Sequence, residues 1–192
     1  MLVKDYWSEF IYSNKLPPEL IEMLSKGTQA QAVKKGTILQ SGDKQGTKSY
    51  FVRKGLLRSF TIDEKGKEHV FMFAPEGWIV GDFESQVKGS RSLMIDALED
   101  SEIDVLDTRM LGELENFPVE VLREQVNKLV RRVSVLQHRV IMLLSASGAD
   151  RYLEFLKTYP NITQRVPQRM IASYLGITPE ALSKIRGELA KK

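Results

Sequence analysis

The 192 residues carry 28 Lys and Arg against 25 Asp and Glu, are 42% hydrophobic and contain no cysteine. Without thiols there is no disulfide framework, no thiolate-held iron–sulfur cluster and no thiol redox sensor, and the apolar content is enough for ordinary cores rather than a disordered chain. The formal charge of +3 is unevenly spread: residues 147–192 hold eight Lys and Arg against four Asp and Glu, while the rest sums to −1. A basic tail on a near-neutral body fits a chain in which the tail alone meets a polyanion.

In chain order, the opening MLVKDYWSEFIYSNKL has no apolar core long enough for a signal peptide. No later run approaches the roughly 18 apolar residues that span a bilayer, so the sequence reads as a cytoplasmic protein with no membrane partner. Residues 1 to about 26 read as helical, with Phe10, Leu20, Ile21 and Leu24 apolar and Pro17-Pro18 opening the second piece at a helix start. From Gly27 to Thr108 the character changes to short β-branched and aromatic runs such as TILQS, SYFVRKG, LLRSFTID, EHVFMFA and EIDVLD, punctuated by glycine. Runs of that length between glycine turns describe an antiparallel sandwich or small barrel. Asp63-Glu64-Lys65-Gly66 reads as a hairpin turn between two of them.

Near Leu111 the hydrophobic period lengthens to three and a half residues. Val119, Leu122, Val126, Leu129, Val133, Leu136, Val140 and Leu143 form an unbroken heptad seam, with valine at every a position and leucine at every d. That combination favours a parallel two-stranded coiled coil, here about 36 Å long at 1.5 Å per residue. Val121, Val130, Val135, Ile141 and Leu144 add a second apolar face, which would let the helix touch the β domain and a partner helix together.

A break at Ser145-Ala146-Ser147-Gly148 leads to a short helix over residues 149–158. The final stretch, RVPQRMIASYLGITPEALSKIRGELAKK, reads as two amphipathic helices about a tight turn. Ile171, Tyr174 and Leu175 share one face, Ala172 is small, and Gly176 stands where a left-handed C-terminal residue is needed. Thr178 caps the next helix, Pro179 and Glu180 suit its first turn, and Leu182 and Ile185 return to the same core. Glu180, Ser183, Lys184 and Arg186 fall on or near the outward side, while Gln168 and Arg169 open the first helix where phosphate contact is natural. A helix-turn-helix of this kind places its second helix in the DNA major groove, and a two-fold dimer offers two of them about 34 Å apart.

The order of parts, a glycine-punctuated β-roll, a long dimer helix and a terminal helix-turn-helix, resembles the Crp/Fnr family of bacterial transcription regulators over essentially the whole chain. IASYLGITPEALSKIR resembles the family's DNA-reading unit, and GWIVGDFESQVKGSRSLMIDALEDSEIDVLD resembles the β-roll segment that holds the phosphate-binding cassette of nucleotide-binding members. The wording W-I-V-G-D and A-L-E-D-S-E is similar to the short members common in Bacteroidetes. The resemblance implies an α+β chain: a jelly-roll-like double-stranded β-helix with N-terminal helices over 1–110, a dimerisation helix over 111–146 and an all-α DNA-binding domain over 147–192. It also implies double-stranded DNA, a second copy, RNA polymerase and a small-molecule effector as partners, with Gln168, Arg169, Thr178, Glu180, Ser183, Lys184 and Arg186 on the DNA side.

Gly81, Asp82, Arg91 and Ser92 stand at the cassette positions, where the family's acidic residue takes a ribose hydroxyl and its arginine the cyclic phosphate. The sequence departs from the pattern in three ways: Asp82 is a methylene shorter than glutamate, Leu93 replaces a small residue, and the loop is about one residue short. These changes count against a cyclic nucleotide, whose buried polar contacts must be met closely. Pro179 also replaces the arginine that many members carry after the helix cap. No cofactor is implied, His69 and His138 read as surface or packing residues rather than metal ligands, and the lack of a nucleophile–base pair speaks against an enzyme. The competing reading is a small-ligand or cyclic-nucleotide module whose terminal helices contact protein rather than DNA.

Overall fold

The computed structural model describes residues 22, 25–41, 48–82, 93–107 and 118–191, and within the long helix it leaves out the side chains at 120, 121, 124, 125, 128 and 131. The expected helices of residues 1–26 lie outside the described residues except for Glu22, Ser25 and Lys26, which are helical. Arg91 and Ser92 also lie outside them.

The β-branched and aromatic runs become β1 (Thr28–Val33), β2 (Ile38–Gln40), β3 (Lys48–Lys54), β4 (Leu57–Ile62), β5 (Glu68–Ala74), β6 (Ile79–Gly81), β7 (Met94–Ala97) and β8 (Ser101–Asp107). They form two four-stranded sheets, ordered β1-β8-β3-β6 and β2-β7-β4-β5. The antiparallel register of β3 on β8 sets Tyr50 opposite Val105 and Val52 opposite Ile103. All four are buried, as the two-residue alternation of a half-covered strand demands. The other sheet supplies Leu57, Phe73 and Ile95, each with no exposed surface, so both sheets feed the apolar core of a β-roll. Three-residue β6 carries no alternation long enough to read and is absent from the sequence-based strands.

Each sheet also holds a cross-strand Arg–Asp pair. Arg53 Nη2 lies 2.7 Å from the fully buried Asp104 carboxylate. Arg58 grips Asp96 with two parallel bonds, Nε to Oδ1 at 3.0 Å and Nη2 to Oδ2 at 2.7 Å. Between β4 and β5, the Asp63 carboxylate accepts the backbone N–H groups of Lys65 and Lys67 and lies 2.8 Å from His69 Nε2. The short polar side chain thus builds the turn that the sequence predicts.

The helices are α1 (Val119–Ser145), α2 (Gly148–Thr158), α3 (Gln168–Leu175) and α4 (Pro179–Leu189), with a 3₁₀ turn at Ile162–Gln164. Ser147 caps α2 by accepting the Asp150 N–H. Tyr152, Phe155, Tyr159, Ile162, Val166, Ile171, Ala172, Leu175 and Leu182 are buried and make a small core that closes α2, α3 and α4 on one another. The chain divides into two compact units, Met1–Ser59 with Phe73–Val130 and Phe60–Met72 with Arg131–Lys192. The tip of the β4–β5 hairpin therefore groups with the helices. Among the described residues, no helix is long and apolar enough to cross a membrane.

Candidate nucleic-acid interface and effector loop

The turn between α3 and α4 is built as the sequence dictates. Gly176 adopts φ 66°, ψ 34°, and its N–H reaches back to the carbonyls of Ala172 and Ser173. A side chain there would be strained by the left-handed backbone, which glycine adopts freely. Two residues on, the Thr178 hydroxyl accepts the Ala181 N–H at 3.2 Å and Pro179 fills the first helical position. Fully buried Leu182 ties α4 to the core. Its opposite side presents Glu180, Ser183 and Lys184 to solvent, with Arg186 half-buried.

Lys184 Nζ stands 4.0 Å from Glu188, an exposed pairing that leaves the ammonium free to exchange partners. The Glu180 carboxyl is held below the usual carboxylate range by its own backbone N–H and by the Thr178 hydroxyl, so it is an acceptor at neutral pH. Thr178 is exposed, but its hydroxyl is engaged as the cap. Gln168 and Arg169 are exposed in the first turn of α3, whose cap residue, Pro167, makes no side-chain cap bond. An anion beside them would meet unsatisfied N–H groups and the positive end of the helix.

Along α1, Val119, Val126, Leu129, Val133, Leu136, Val140 and Leu143 are all 41–62% exposed, and Leu122 is half-buried. Val130, Val135, Ile141 and Leu144, off the seam, are exposed as well, Leu144 at 82%. Among the described residues, the stripe is an exposed apolar surface.

Of the candidate effector residues, Gly81 and Asp82 are described, and both have partners within the fold. Gly81 pairs with Ser49 across β6 and β3, and a Cβ at 81 would come within 2.5 Å of the Ser49 hydroxyl. The fold alone thus accounts for this glycine. Asp82 has no exposed surface, and its Oδ2 accepts from the Leu93 N–H at 3.3 Å and from Gln40 Nε2 at 3.4 Å. The carboxylate lies inside the protein beside the start of β7. Gln40 Nε2 also donates to the Leu93 carbonyl at 3.0 Å. Among the described residues no group of three or more His, Cys, Asp or Glu is placed to hold a metal ion.

Sequence reasoning missed Arg139 and Ser173. Arg139 is the heptad g residue of its turn, and Ser173 is an ordinary polar residue beside two buried ones. In the structure Arg139 stacks on Tyr174 and on Phe71, and Ser173 bonds twice to β5. Tyr174, assigned by spacing to the core face, is half-buried and shared between the Phe155 and Tyr159 rings and this arginine.

Residues 30–115 match the family model described as the cyclic nucleotide-binding domain. The electron transport regulator A of Shewanella oneidensis is 29% identical over 167 residues, covering 80% of this chain and 65% of that protein. The fumarate and nitrate reduction regulatory protein of Escherichia coli is 29% identical over 175 residues, covering 83% of this chain and 68% of its own length. The chain thus spans about two thirds of the length of these curated relatives. Among solved structures, that of FixK2 from Bradyrhizobium japonicum superimposes with a TM-score of 0.72 over 85% of each chain at 18% identity.

Proposed function

We propose that this chain is a cytoplasmic, homodimeric transcription regulator of Crp/Fnr type that reads double-stranded DNA with α3 and α4 under the control of its β-roll. The observation that carries this reading is a pair of helices, locked by Gly176 and the Thr178 cap, that turns Glu180, Ser183 and Lys184 outward. Ser183 and Lys184 suit base edges, Glu180 suits the amino group of cytosine, and Arg186, Arg169 and Gln168 suit the flanking phosphates.

The seam of α1 supplies the second copy. Half-exposed valine and leucine side chains gain about 1 kcal/mol each on burial. With eight per chain, the sum for a dimer, about 16 kcal/mol, reaches the upper end of the roughly 4–15 kcal/mol cost of association. A two-fold pair then offers two α4 helices to successive major grooves. RNA polymerase is the partner that such a regulator would meet at a promoter. The effector, if the roll takes one, is a small molecule, with Gly81, Asp82, Arg91 and Ser92 the candidate contacts. In physical terms an effector acts only through tighter binding to one arrangement of the dimer.

The test is a DNA-binding isotherm over a salt series, on a duplex selected from a random library by the purified protein. Replacing Lys184 and Arg186 together by alanine should weaken binding and reduce the slope of log affinity against log salt by about 0.9 for each phosphate that is no longer neutralised. A slope unchanged from wild type would place the reading surface elsewhere, and the absence of any salt-dependent DNA binding would end the proposal.

A further inference from the structure

Three elements converge on one guanidinium in the unit formed by residues 60–72 and 131–192. Arg139 of α1 lays its guanidinium carbon 4.0 Å from the centroid of the Tyr174 ring in α3 and 5.3 Å from that of Phe71 in β5. One Nη donates to the Phe71 carbonyl, and the other lies 3.4 Å from the carbonyls of both Val70 and Tyr174. Beside it, the Ser173 hydroxyl of α3 accepts the Val70 N–H at 3.0 Å and donates to the Glu68 carbonyl at 2.9 Å. The two 3.4 Å approaches are long and contribute little. The firm links are the stacking and the two bonds of Ser173.

The Arg139–Tyr174 stacking joins the helix that carries the heptad seam to the first helix of the DNA-reading pair directly, and Ser173 joins that first helix to β5, on which Arg139 also stacks. Glu180, Ser183 and Lys184 remain exposed with the links in place, so the junction does not mask the reading face. It fixes where that face sits relative to the seam. In a dimer the seam defines the two-fold axis, and whatever holds α3 to α1 therefore defines the separation and mutual rotation of the two α4 helices. Each base pair inserted between half-sites displaces one of them by about 3.4 Å and rotates it by about 35° around the duplex.

We propose that Arg139 and Ser173 are positioning residues that set the half-site spacing this regulator accepts, by holding its reading helices rigidly to the dimer helix. The proposal rests on the dimeric DNA-reading function above. Arg139 and Ser173 touch no base in it. They reduce the ordering that the protein must undergo on a correctly spaced site, and deny that benefit to a wrongly spaced one.

The experiment uses the full-length protein and the duplex that it selects from a random library, resynthesised with one base pair added to or removed from the centre. Wild type should bind about tenfold or more weakly on either altered spacing, whereas Arg139→Gln and Ser173→Ala should bind all three within a factor of about three of one another. Ser173→Thr, which keeps the hydroxyl, should restore the narrow profile. Sedimentation of each variant checks that it remains dimeric, and Ser173→Ala serves as the mild substitution should Arg139→Gln fold poorly. Variants whose affinity falls equally at every spacing, or that keep the wild-type profile, would overturn the assignment. A wild type that selects no duplex would instead remove the DNA-reading function on which it stands.

Discussion

The β-roll and the helical reading pair treat their polar side chains in opposite ways. In the roll, polar groups are met internally: Arg53 with Asp104, Arg58 with Asp96, and Asp82 beside the neutral donors of Leu93 and Gln40, with all three carboxylates buried or nearly so. In the terminal pair, Gln168, Arg169, Glu180, Ser183 and Lys184 stand in solvent. A charge sunk in a core has its partner already, whereas a row of exposed polar groups on a well-capped helix is free to meet one. The difference teaches that a domain-level match identifies a scaffold, while the direction in which particular side chains point decides whether a site on it is open.

The hardest way to break the contrast is to open one of the internal pairs. Asp96→Ala leaves the 4%-exposed Arg58 guanidinium without its bidentate partner, and stranding one member of a buried pair costs about 3–5 kcal/mol. Urea denaturation should register that loss, and a change under about 1 kcal/mol would mean that the roll does not depend on its internal charges. Next comes the seam: in the proposed dimer, Val133→Glu with Leu136→Glu should leave monomers by sedimentation and lower DNA affinity about a hundredfold, since each half then docks alone.

Smaller effects sharpen the helical side. Thr178→Ala removes the hydroxyl that accepts the Ala181 N–H and should cost about 1 kcal/mol in thermal denaturation, with serine at 178 nearly neutral. The least expected effect lies in the hairpin. The Asp63 carboxyl is held below the ordinary range, first by His69 and then by the Lys67 N–H. A depressed folded pKa means that this contribution is fully present above the unfolded value of about 3.9 and drains away as pH falls through the lower folded value. The Lys65 and Lys67 amide resonances should therefore titrate together in acid with a midpoint below that of a free aspartate. In Asp63→Asn that transition should vanish.

What the sequence made legible is what short-range rules govern. The valine–leucine seam, the left-handed Gly176, the Thr178-Pro179 helix start and the Asp63 turn each depend on residues a few positions apart, and each stands where the residues predict it. The inward turn of Asp82 could not be read, because its neighbours, the Leu93 N–H and the Gln40 amide, come from residues 11 and 42 positions away. The Arg139–Ser173 junction spans separations of 35 to 105 residues and leaves no periodic trace. The second apolar face of α1 was legible as a face. Its described residues stay exposed, which spacing alone does not foretell.

One of those long-range links bears on solubility. β5 closes its sheet at one end, and the bare rim of a terminal strand invites foreign strands to add to it. The Ser173 hydroxyl stands in for the missing neighbour, answering both the N–H of Val70 and the carbonyl of Glu68. The first helix of the reading pair thereby doubles as a guard on that flank of the hairpin.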